Sequence, residues 1–161
     1  FAADAREYPG IGKNPGRVVV YFSRMGYARK LACEEADRIG ARLVEIKARE
    51  RTEGTLGFWW CGRFGINRWA MPIDDMDVDF AQCEHVTIVS PIWVFSLSSP
   101  VREFCRTARG SIKSVDYILV HHTSAGYKNA ADEMDALLNV KRSRARSVRC
   151  SMGKYSRVVE I

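Results

Sequence analysis

Two kinds of hydrophobic pattern alternate along the chain. Short, nearly continuous apolar runs rich in β-branched residues are typical of strands that are covered on both faces of a sheet. Between these runs lie longer stretches in which apolar residues recur at the three- and four-residue spacing of an amphipathic helix. Regular alternation of the two patterns predicts an α/β fold, with a parallel sheet and helices on both of its faces.

The apolar runs predict five strands, and the helical spacing predicts three helices. The first helix covers residues 27–39. The second starts with Ser99 as its N-cap and Pro100 in its first turn, positions that a hydroxyl and a proline favour. The third has its apolar stripe over residues 130–138. The predicted strands are residues 18–22, 43–46, 86–89, 117–120 and 148–151.

The 161 residues are enough for one domain with a full core. Residues 1–16 contain several glycines and are predicted to form an irregular lead-in to a single domain over residues 17–161. An aromatic excursion is predicted for about residues 49–79. The five cysteines are scattered, without a C-x-x-C pair, which favours reduced thiols and a cytoplasmic location over a disulfide framework or a metal site.

The chain is basic, with a formal net charge of +6. Much of the excess lies in residues 141–149, with the sequence KRSRARSVR. This run is interpreted either as a solvated loop or as a surface that attracts an acidic partner. No zinc-finger or RNA-recognition motif accompanies it, so nucleic acid is not an expected partner. The longest apolar stretch is short and interrupted by serine and proline, so it is predicted to be a buried strand and loop rather than a membrane span, and membrane contact is not favoured.

Ligands of a parallel α/β sheet bind beyond the carboxyl ends of its strands. Three loops are predicted at that edge: residues 23–28, 90–98 and 123–127. The second places aromatic rings beside a strand end, where they can stack on a flat ligand. The third, within HHTSAGY, offers two small hydroxyl residues and a glycine before a helix. Each loop also has a purely structural interpretation, but three such loops at one edge together favour a ligand site.

The first of these loops turns a strand directly into a helix through Gly26. Free backbone amides at a helix start, together with the positive end of the helix dipole, form a site for an anion. Ser23 adds a hydroxyl, and Arg24 adds a guanidinium that can bind phosphate. The turn therefore has the composition of a phosphate site.

Two segments resemble the flavodoxin-like proteins, and more closely the flavodoxin-related FMN-binding proteins of anaerobic bacteria. The segments are VVVYFSRMGYARKLA, from Val18, and VTIVSPIWVFSLSSPVREF, from Val86, and the resemblance extends over about residues 17–152. The family implies a three-layer sandwich around a five-stranded parallel sheet of order 2-1-3-4-5. It also implies one non-covalently bound flavin mononucleotide (FMN).

The resemblance further implies which residues hold the cofactor. The phosphate would be held by the first loop, Ser23, Arg24, Met25, Gly26, Tyr27 and Ala28. The ring would be flanked by the other two loops, Pro91, Ile92, Trp93, Val94, Phe95, Thr123, Ser124, Ala125, Gly126 and Tyr127. No side chain is predicted to act as a catalytic acid or base. No metal site is predicted, because His121 and His122 are neighbours on a strand and point to opposite faces.

Three departures from the family pattern change what is expected. Met25 and Ala28 stand where the family has threonines, and each missing hydrogen bond to a charged group is worth about 1.5–3 kcal/mol. FMN binding is therefore expected to be weaker than in ordinary flavodoxins, by roughly two to four decades. The family's electron carriers are typically acidic, whereas this chain is basic. Positive charge near a flavin stabilises the reduced anion, so the reduction potential is expected to be less negative than that of an acidic homologue. The family's last helix is missing, so one sheet face needs cover from the N-terminal segment, a partner or a second copy in a homodimer.

The aromatic segment TLGFWWCGRFGINRWAMPI, from Thr55, contains three of the four tryptophans. Its glycines predict an irregular path rather than one helix. It is interpreted as a buried excursion over the sheet, as a wall or lid over the flavin, or as an interface with another chain or a membrane surface.

The sequence thus predicts an FMN-binding, flavodoxin-like redox protein that transfers electrons or reduces a small acceptor. Its expected partner is a redox protein, of acidic character if the basic charge guides the encounter. The alternative is a flavodoxin-like scaffold that has lost tight FMN binding and serves as a partner-binding module. The residues leave open whether the chain is an FMN-dependent oxidoreductase.

Overall fold

Buried β-branched runs form the centre of the fold, as the hydrophobic pattern predicts. The computed structural model describes residues 7–124 and 126–161. A short 3-10 turn, Phe80–Gln82, precedes the third strand. The strands are β1 (Arg17–Tyr21), β2 (Arg42–Glu45), β3 (His85–Trp93), β4 (Ser96–Leu97), β5 (Val115–His121), β6 (Arg144–Ser151) and β7 (Lys154–Glu160). The helices are α1 (Tyr27–Ile39), α2 (Gly54–Asn67), α3 (Ser99–Thr107) and α4 (Lys128–Leu138).

The strands form a mostly parallel sheet with the order β2-β1-β3-β5-β6-β7. All pairs from β2 to β6 along this order are parallel. The predicted α/β class is therefore confirmed, and the five parallel strands lie in the predicted order. In such a sheet the carboxyl ends of β1, β3, β5 and β6 meet at one edge, which positions the candidate site.

The prediction of only five strands is wrong, because two antiparallel strands are added. β4 is two residues long and pairs with the end of β3, and β7 pairs with β6 through a turn at Met152 and Gly153. Most residues of β7 are exposed, so this edge strand lacks the apolar run that identified the others. Where the family has its last helix, the chain continues from β6 into this strand.

Helices cover the two sheet faces unequally. α1 packs its alanines, among them Ala28 and Ala32, with Val19 and Tyr21 on one face. α2, α3 and α4 contribute to the larger core on the opposite face, where Phe104 is fully enclosed. The sandwich therefore has three layers, with one helix on one side and three on the other.

The prediction of an irregular path through the aromatic segment is wrong, since Gly54–Asn67 form the helix α2. Gly57 and Gly65 are buried. A Cβ added to Gly65 would lie 3.1 Å from the Val94 side chain and 3.2 Å from the Trp93 Cβ. Glycine here permits a close approach to the end of β3, and tertiary packing outweighs a helix-propensity cost of about 1 kcal/mol.

A network of charged side chains, rather than exposed apolar surface, covers the sheet beside α1. Asp116 on β5 lies 2.6 Å from the Nε2 of His85 and accepts a hydrogen bond from the Thr87 hydroxyl at 2.6 Å. Arg146 on β6 lies 3.1 Å from Glu35 on α1 and 3.6 Å from Asp116. Polar contacts therefore cover this part of the sheet face.

The N-terminal segment adds cover near the end of α1. Ile11 packs against the same core cluster as α1. The Gly10 amide donates to the Asp37 carboxylate at 2.6 Å, and the Gly12 amide donates to the Ala41 carbonyl at 2.9 Å. Part of the predicted cover therefore comes from the chain's own lead-in.

The arginines of the basic run 141–149 are engaged within the chain. Arg142 lies 2.9 Å from a carboxylate oxygen of Asp132 and 2.9 Å from one of Asp135. Arg144 pairs with Glu160 on β7. The run therefore neutralises carboxylates of the chain instead of forming a free loop. Within residues 7–124 and 126–161, no helix has the length and apolar character needed to cross a membrane.

Candidate functional site

A cavity of about 280 Å³ opens at the edge where the carboxyl ends of the parallel strands meet. Its wall is mostly apolar, and no aspartate or glutamate contributes to it among the described residues. Nine predicted site residues line it, namely Ser23, Arg24, Met25, Tyr27, Ala28, Pro91, Ile92, Trp93 and Val94. The structure therefore brings the first and second loops together at one cavity.

The first loop enters α1 through Gly26, whose φ of 100° suits glycine. The space where its Cβ would stand is open, with no atom of the described chain within 4 Å. The N-cap residue is Gly26 itself, which has no side chain that could bond the amides of Tyr27 and Ala28. The amides of Tyr27 and Ala28 therefore keep their capacity to bind an anion at the positive end of the helix dipole.

Two polar groups of this loop already have partners. The Gly26 amide donates to the Ser23 hydroxyl at 2.9 Å. Arg24 donates from Nε to the Thr52 carbonyl at 2.8 Å and from Nη2 to the Gly54 carbonyl at 3.1 Å. The Gly26 amide is thus committed to the protein. Arg24 uses two of its five N–H groups to hold the start of α2, and its guanidinium also interacts with the Cys61 thiol.

The second loop divides into a cavity wall and an exposed turn. Trp93 is largely buried and packs edge-on against Phe22, with 5.5 Å between ring centroids, so its ring belongs to the core as well as to the cavity wall. Val94 and Phe95 have φ values of 50° and 60°, which are strained for β-branched and bulky residues. Phe95 faces solvent and does not line the cavity.

The described residues of the third loop do not reach the cavity. The Thr123 hydroxyl lies 2.6 Å from the hydroxyl of Tyr127, whose side chain is buried in the core. Ser124 and Gly126 are exposed and are not part of the cavity lining. Ala125 lies outside the described residues. The structure therefore does not place the described residues of this loop where the resemblance implies ring contacts.

His122, just before the third loop, lines the cavity in its place. Its Nδ1 lies 2.9 Å from the Cys150 carbonyl oxygen, and its ring packs edge-on against Tyr27, with centroids 5.7 Å apart. A carbonyl only accepts hydrogen bonds, so Nδ1 carries a proton. His121 turns to the other face, where its Nε2 lies 2.6 Å from the Ser147 hydroxyl. Burial lowers the pKa of His121 and favours its neutral form.

α2 supplies a wall of the cavity, the position that one of the three interpretations of the aromatic segment gave it, although its lining residues were not assigned from the sequence. Phe58, Cys61 and Gly62 line it, at the i, i+3 and i+4 positions of one helix face. This spacing indicates a shared helix face. It was not used in the prediction, because the glycines of the segment favoured an irregular path over a helix. Arg24 lies over the Phe58 ring, with its guanidinium carbon 5.4 Å from the ring centroid.

The remaining lining residues that the sequence did not assign are Val120 and Cys150, at the ends of β5 and β6. Burial raises the pKa of the Cys150 thiol and of the Cys61 thiol, so both favour the neutral form. The five cysteines are all free and buried. No group of three or more histidine, cysteine or acidic side chains within the described part of the chain could hold a metal ion.

The turn between β6 and β7 fixes the start of α1 from outside. The Gly153 amide donates to the Tyr27 hydroxyl at 2.8 Å, and the Tyr155 hydroxyl donates to the Tyr27 carbonyl at 3.0 Å. The first loop is therefore held between this hairpin and α2. A loop held on both sides is preorganised for a ligand.

Several solved structures share this architecture. A flavoprotein from Lactobacillus acidophilus NCFM, solved in complex with FMN, matches with a TM-score of 0.67 and 14% identity over 83% of this chain and 93% of that one. A candidate flavoprotein from Bacteroides eggerthii DSM 20697 has a TM-score of 0.69 and 19% identity, over 86% of this chain and 91% of that one. A candidate flavoprotein from Bacteroides uniformis ATCC 8492 has a TM-score of 0.72 and 17% identity, over 86% and 93%.

At these identities the likeness defines the fold, which is flavodoxin-like. No protein-family model and no curated protein matches the sequence. The chain therefore has the architecture of the flavodoxin-like class, with an added antiparallel edge strand and a helical wall at its cavity.

Proposed function

We propose that the chain binds FMN in the cavity between the first loop, the end of β3 and α2, and that it is a flavin-dependent redox protein. The observation that carries this proposal is a mostly apolar slot that leads to an uncapped helix start. A flat apolar ring and an anionic phosphate are the two halves of FMN. The neighbour of this fold from Lactobacillus acidophilus was solved in complex with FMN, which supports the same ligand here.

The chain's own groups have separate tasks in this proposal. The amides of Tyr27 and Ala28 bind the phosphate at the start of α1, and the guanidinium of Arg24 adds positive charge. Trp93 and Phe58 form the apolar wall for the ring and exclude water from it. FMN, when bound, supplies the electron-transfer chemistry, while the protein positions it and tunes its potential.

The affinity for FMN is proposed to be lower than in ordinary flavodoxins. Met25 and Ala28 provide no hydroxyl at the phosphate end, and the Gly26 amide is bonded to Ser23. The clamp from Arg24 to the start of α2 compensates in part, because it holds the loop in place before the ligand arrives.

The proposed role is electron transfer to a redox partner protein or reduction of a small acceptor in the cytoplasm. A second candidate function is a flavodoxin-like scaffold that binds a partner without tight FMN binding. The observation that favours it is the hydrogen bond from the Gly26 amide to the Ser23 hydroxyl, which withdraws one donor from the phosphate site.

Titration with FMN distinguishes the two functions. The purified chain is mixed with FMN, and flavin fluorescence, tryptophan fluorescence and visible absorbance are followed, with riboflavin as the control that lacks the phosphate. The redox proposal expects quenched flavin fluorescence and tighter binding of FMN than of riboflavin. If calorimetry detects no FMN binding, the scaffold function is favoured. If FMN binds, consumption of reduced nicotinamide with a quinone acceptor distinguishes a reductase from a carrier.

A further inference from the structure

Exposed hydrophobic side chains are concentrated on one surface of the molecule. In the described ranges, eleven large hydrophobic side chains are exposed, and nine of them lie on or beside α2, in the turn after β3, or in the first loop. Scattered exposed apolar residues are normal, but a contiguous group marks an interaction site. We call this group the aromatic surface; it comprises Met25, Leu56, Phe58, Trp59, Trp60, Ile66, Trp69, Val94 and Phe95.

α2 directs most of its large side chains outward, unlike an ordinary amphipathic helix. Its buried positions are Gly57, Cys61, Phe64 and Gly65, so Phe64 is the one large side chain that points into the core. In contrast, Trp59 and Ile66 are each 69% exposed. The small inward residues explain how α2 packs closely on the end of β3, but they do not explain the outward indole and alkyl groups. Those groups do not contribute to the core of the described chain, and they are available to a partner outside it.

The contacts within this surface keep it contiguous. The rings of Phe58 and Trp59 lie 5.7 Å apart, as centroids, and those of Trp60 and Phe64 lie 5.6 Å apart. Gly65 brings α2 against Val94, so the helix and the turn after β3 form one surface.

The charge on the outer face of α2 is positive. Arg63 is the one charged residue of the segment Gly54–Asn67, and its guanidinium lies 5.6 Å from the Trp60 ring centroid and 5.7 Å from that of Trp69. Arg68 follows the helix and is exposed. The nearby carboxylate of Glu50 accepts a hydrogen bond from the Trp60 indole at 3.0 Å, so one of its oxygens already has a partner within the chain.

Tryptophan and arginine together suit the boundary between lipid and water. The indole ring lies at the level of the headgroups, and the guanidinium binds lipid phosphate. The net charge of +6 attracts the whole chain to anionic lipid. A second copy suits this surface less well. Two-fold packing of α2 on α2 about its centre brings two Arg63 groups of like charge towards each other.

We propose that the aromatic surface binds anionic phospholipid membranes, with α2 lying in the plane of the interface. This proposal selects the membrane-surface interpretation of the aromatic segment, which the sequence left open without favouring it, and it does not depend on FMN. Phe58 and Val94 belong both to the aromatic surface and to the cavity lining. The mouth of the cavity therefore faces the lipid in the bound state.

The test is co-sedimentation of the full chain with vesicles of phosphatidylglycerol and phosphatidylcholine, compared with vesicles of phosphatidylcholine alone. The wild type is expected to bind the anionic vesicles at least tenfold more tightly, and added salt is expected to weaken binding. The double variant Trp59→Glu, Ile66→Glu is expected to lose at least tenfold in vesicle affinity. The control Val158→Glu changes a side chain that is 59% exposed on β7 and is expected to bind as the wild type does.

Further measurements decide the remaining outcomes. The proposal would be overturned by equal binding of the wild type to both vesicle types, or by unchanged binding of the double variant. It would also be overturned if anionic vesicles caused no blue shift in the indole emission of the wild type. A wild-type dimer that becomes a monomer in the double variant would also overturn it, because the surface would then join two copies. Neither Trp59 nor Ile66 lines the cavity, so an FMN titration of the same variants separates lipid binding from the proposed flavin function.

Discussion

The guanidinium of Arg24 lies over the ring of Phe58, with 5.4 Å between the guanidinium carbon and the ring centroid. Arg24 also donates to two carbonyls at the start of α2, those of Thr52 and Gly54. The loop predicted to hold phosphate and the helix that walls the cavity are thereby held as one unit. Substitution of Arg24 should therefore affect both halves of the candidate site.

Arg24→Ala is expected to weaken FMN binding at least tenfold, or about 1.4 kcal/mol, because it removes both a charge and the clamp on α2. Arg24→Lys keeps the charge but loses the two-carbonyl geometry, and it is expected to recover only part of the affinity. Flavin fluorescence titration measures both. Arg106→Ala, at an exposed pair with Glu103 on α3, is the control for removal of a guanidinium. Wild-type affinity in Arg24→Ala would contradict the assignment.

Gly26→Ala tests the backbone conformation of the first loop. The φ of 100° disfavours any side chain, although the space for a Cβ is open. We expect a loss of unfolding free energy of about 1–2 kcal/mol, together with weaker FMN binding. Gly62→Ala is the matched control for stability alone, because its position within α2 is also open and Gly62 itself lines the cavity. That variant is expected to stabilise the helix by about 0.5–1 kcal/mol, as urea denaturation would measure. Equal stability of Gly26→Ala and the wild type would show that the turn relaxes without glycine.

Asp116→Ala tests the charged network beside α1. The change leaves His85, Thr87 and Arg146 without a shared carboxylate in a largely buried position. Loss of one member of a buried pair costs about 3–5 kcal/mol. Urea denaturation is expected to show this loss, whereas Asp132→Ala at an exposed ion pair should change the midpoint little. If both variants unfold at the wild-type midpoint, the network does not stabilise the sheet.

Asp116 and Glu35 also predict a dependence of stability on acid. Burial opposes ionisation of both carboxyls. Hydrogen bonds from His85 and Thr87 to Asp116 and from Arg38 to Glu35, with the charge of Arg146, outweigh burial and hold both pKa values below the ordinary 3.8 and 4.5. A lowered pKa stabilises the fold above the ordinary value, and this contribution is lost as the pH falls through the lowered one.

The free energy of unfolding is therefore expected to fall below about pH 4, and to fall less steeply in Asp116→Ala. Urea denaturation at several acid pH values measures both slopes. Parallel slopes in the two proteins would contradict a lowered pKa for Asp116.

The charges at the cavity predict the direction of the redox potential. Arg24 lines the cavity, and no described carboxylate does. Positive charge stabilises the reduced, anionic flavin, so bound FMN is expected to have a less negative potential than free FMN. His122→Asp would add a negative charge at the wall. That charge would disfavour the reduced, anionic flavin, so the potential is expected to be more negative in this variant than in the wild type. A potentiometric titration that finds bound FMN more negative than free FMN would contradict this prediction.

The sequence by itself determined the elements that local pattern encodes. The predicted helix over residues 27–39 has the observed bounds of α1, and the α/β class followed from the alternation of patterns. The Gly26 turn was identified because a strand passed into a helix within a few residues. These features depend on spacing and turn chemistry over one or two turns of chain, which are visible without contacts.

Only the tertiary structure decided how the cavity is built. α2 forms despite its glycines because its packing against the end of β3 outweighs their low helix propensity. Gly65 makes that packing possible, since it lets the helix approach Val94, a residue far along the chain. His122 and Cys150 reach the cavity because parallel pairing brings the ends of β5 and β6 to one edge. Most residues of the antiparallel strand β7 are exposed, so its apolar pattern is too weak to predict a strand. Its pairing with β6 identifies it only in the structure. Each of these features depends on contacts between segments that are distant in the sequence. Hydrophobic periodicity could not predict them, because it indicates only which residues of a single segment are buried.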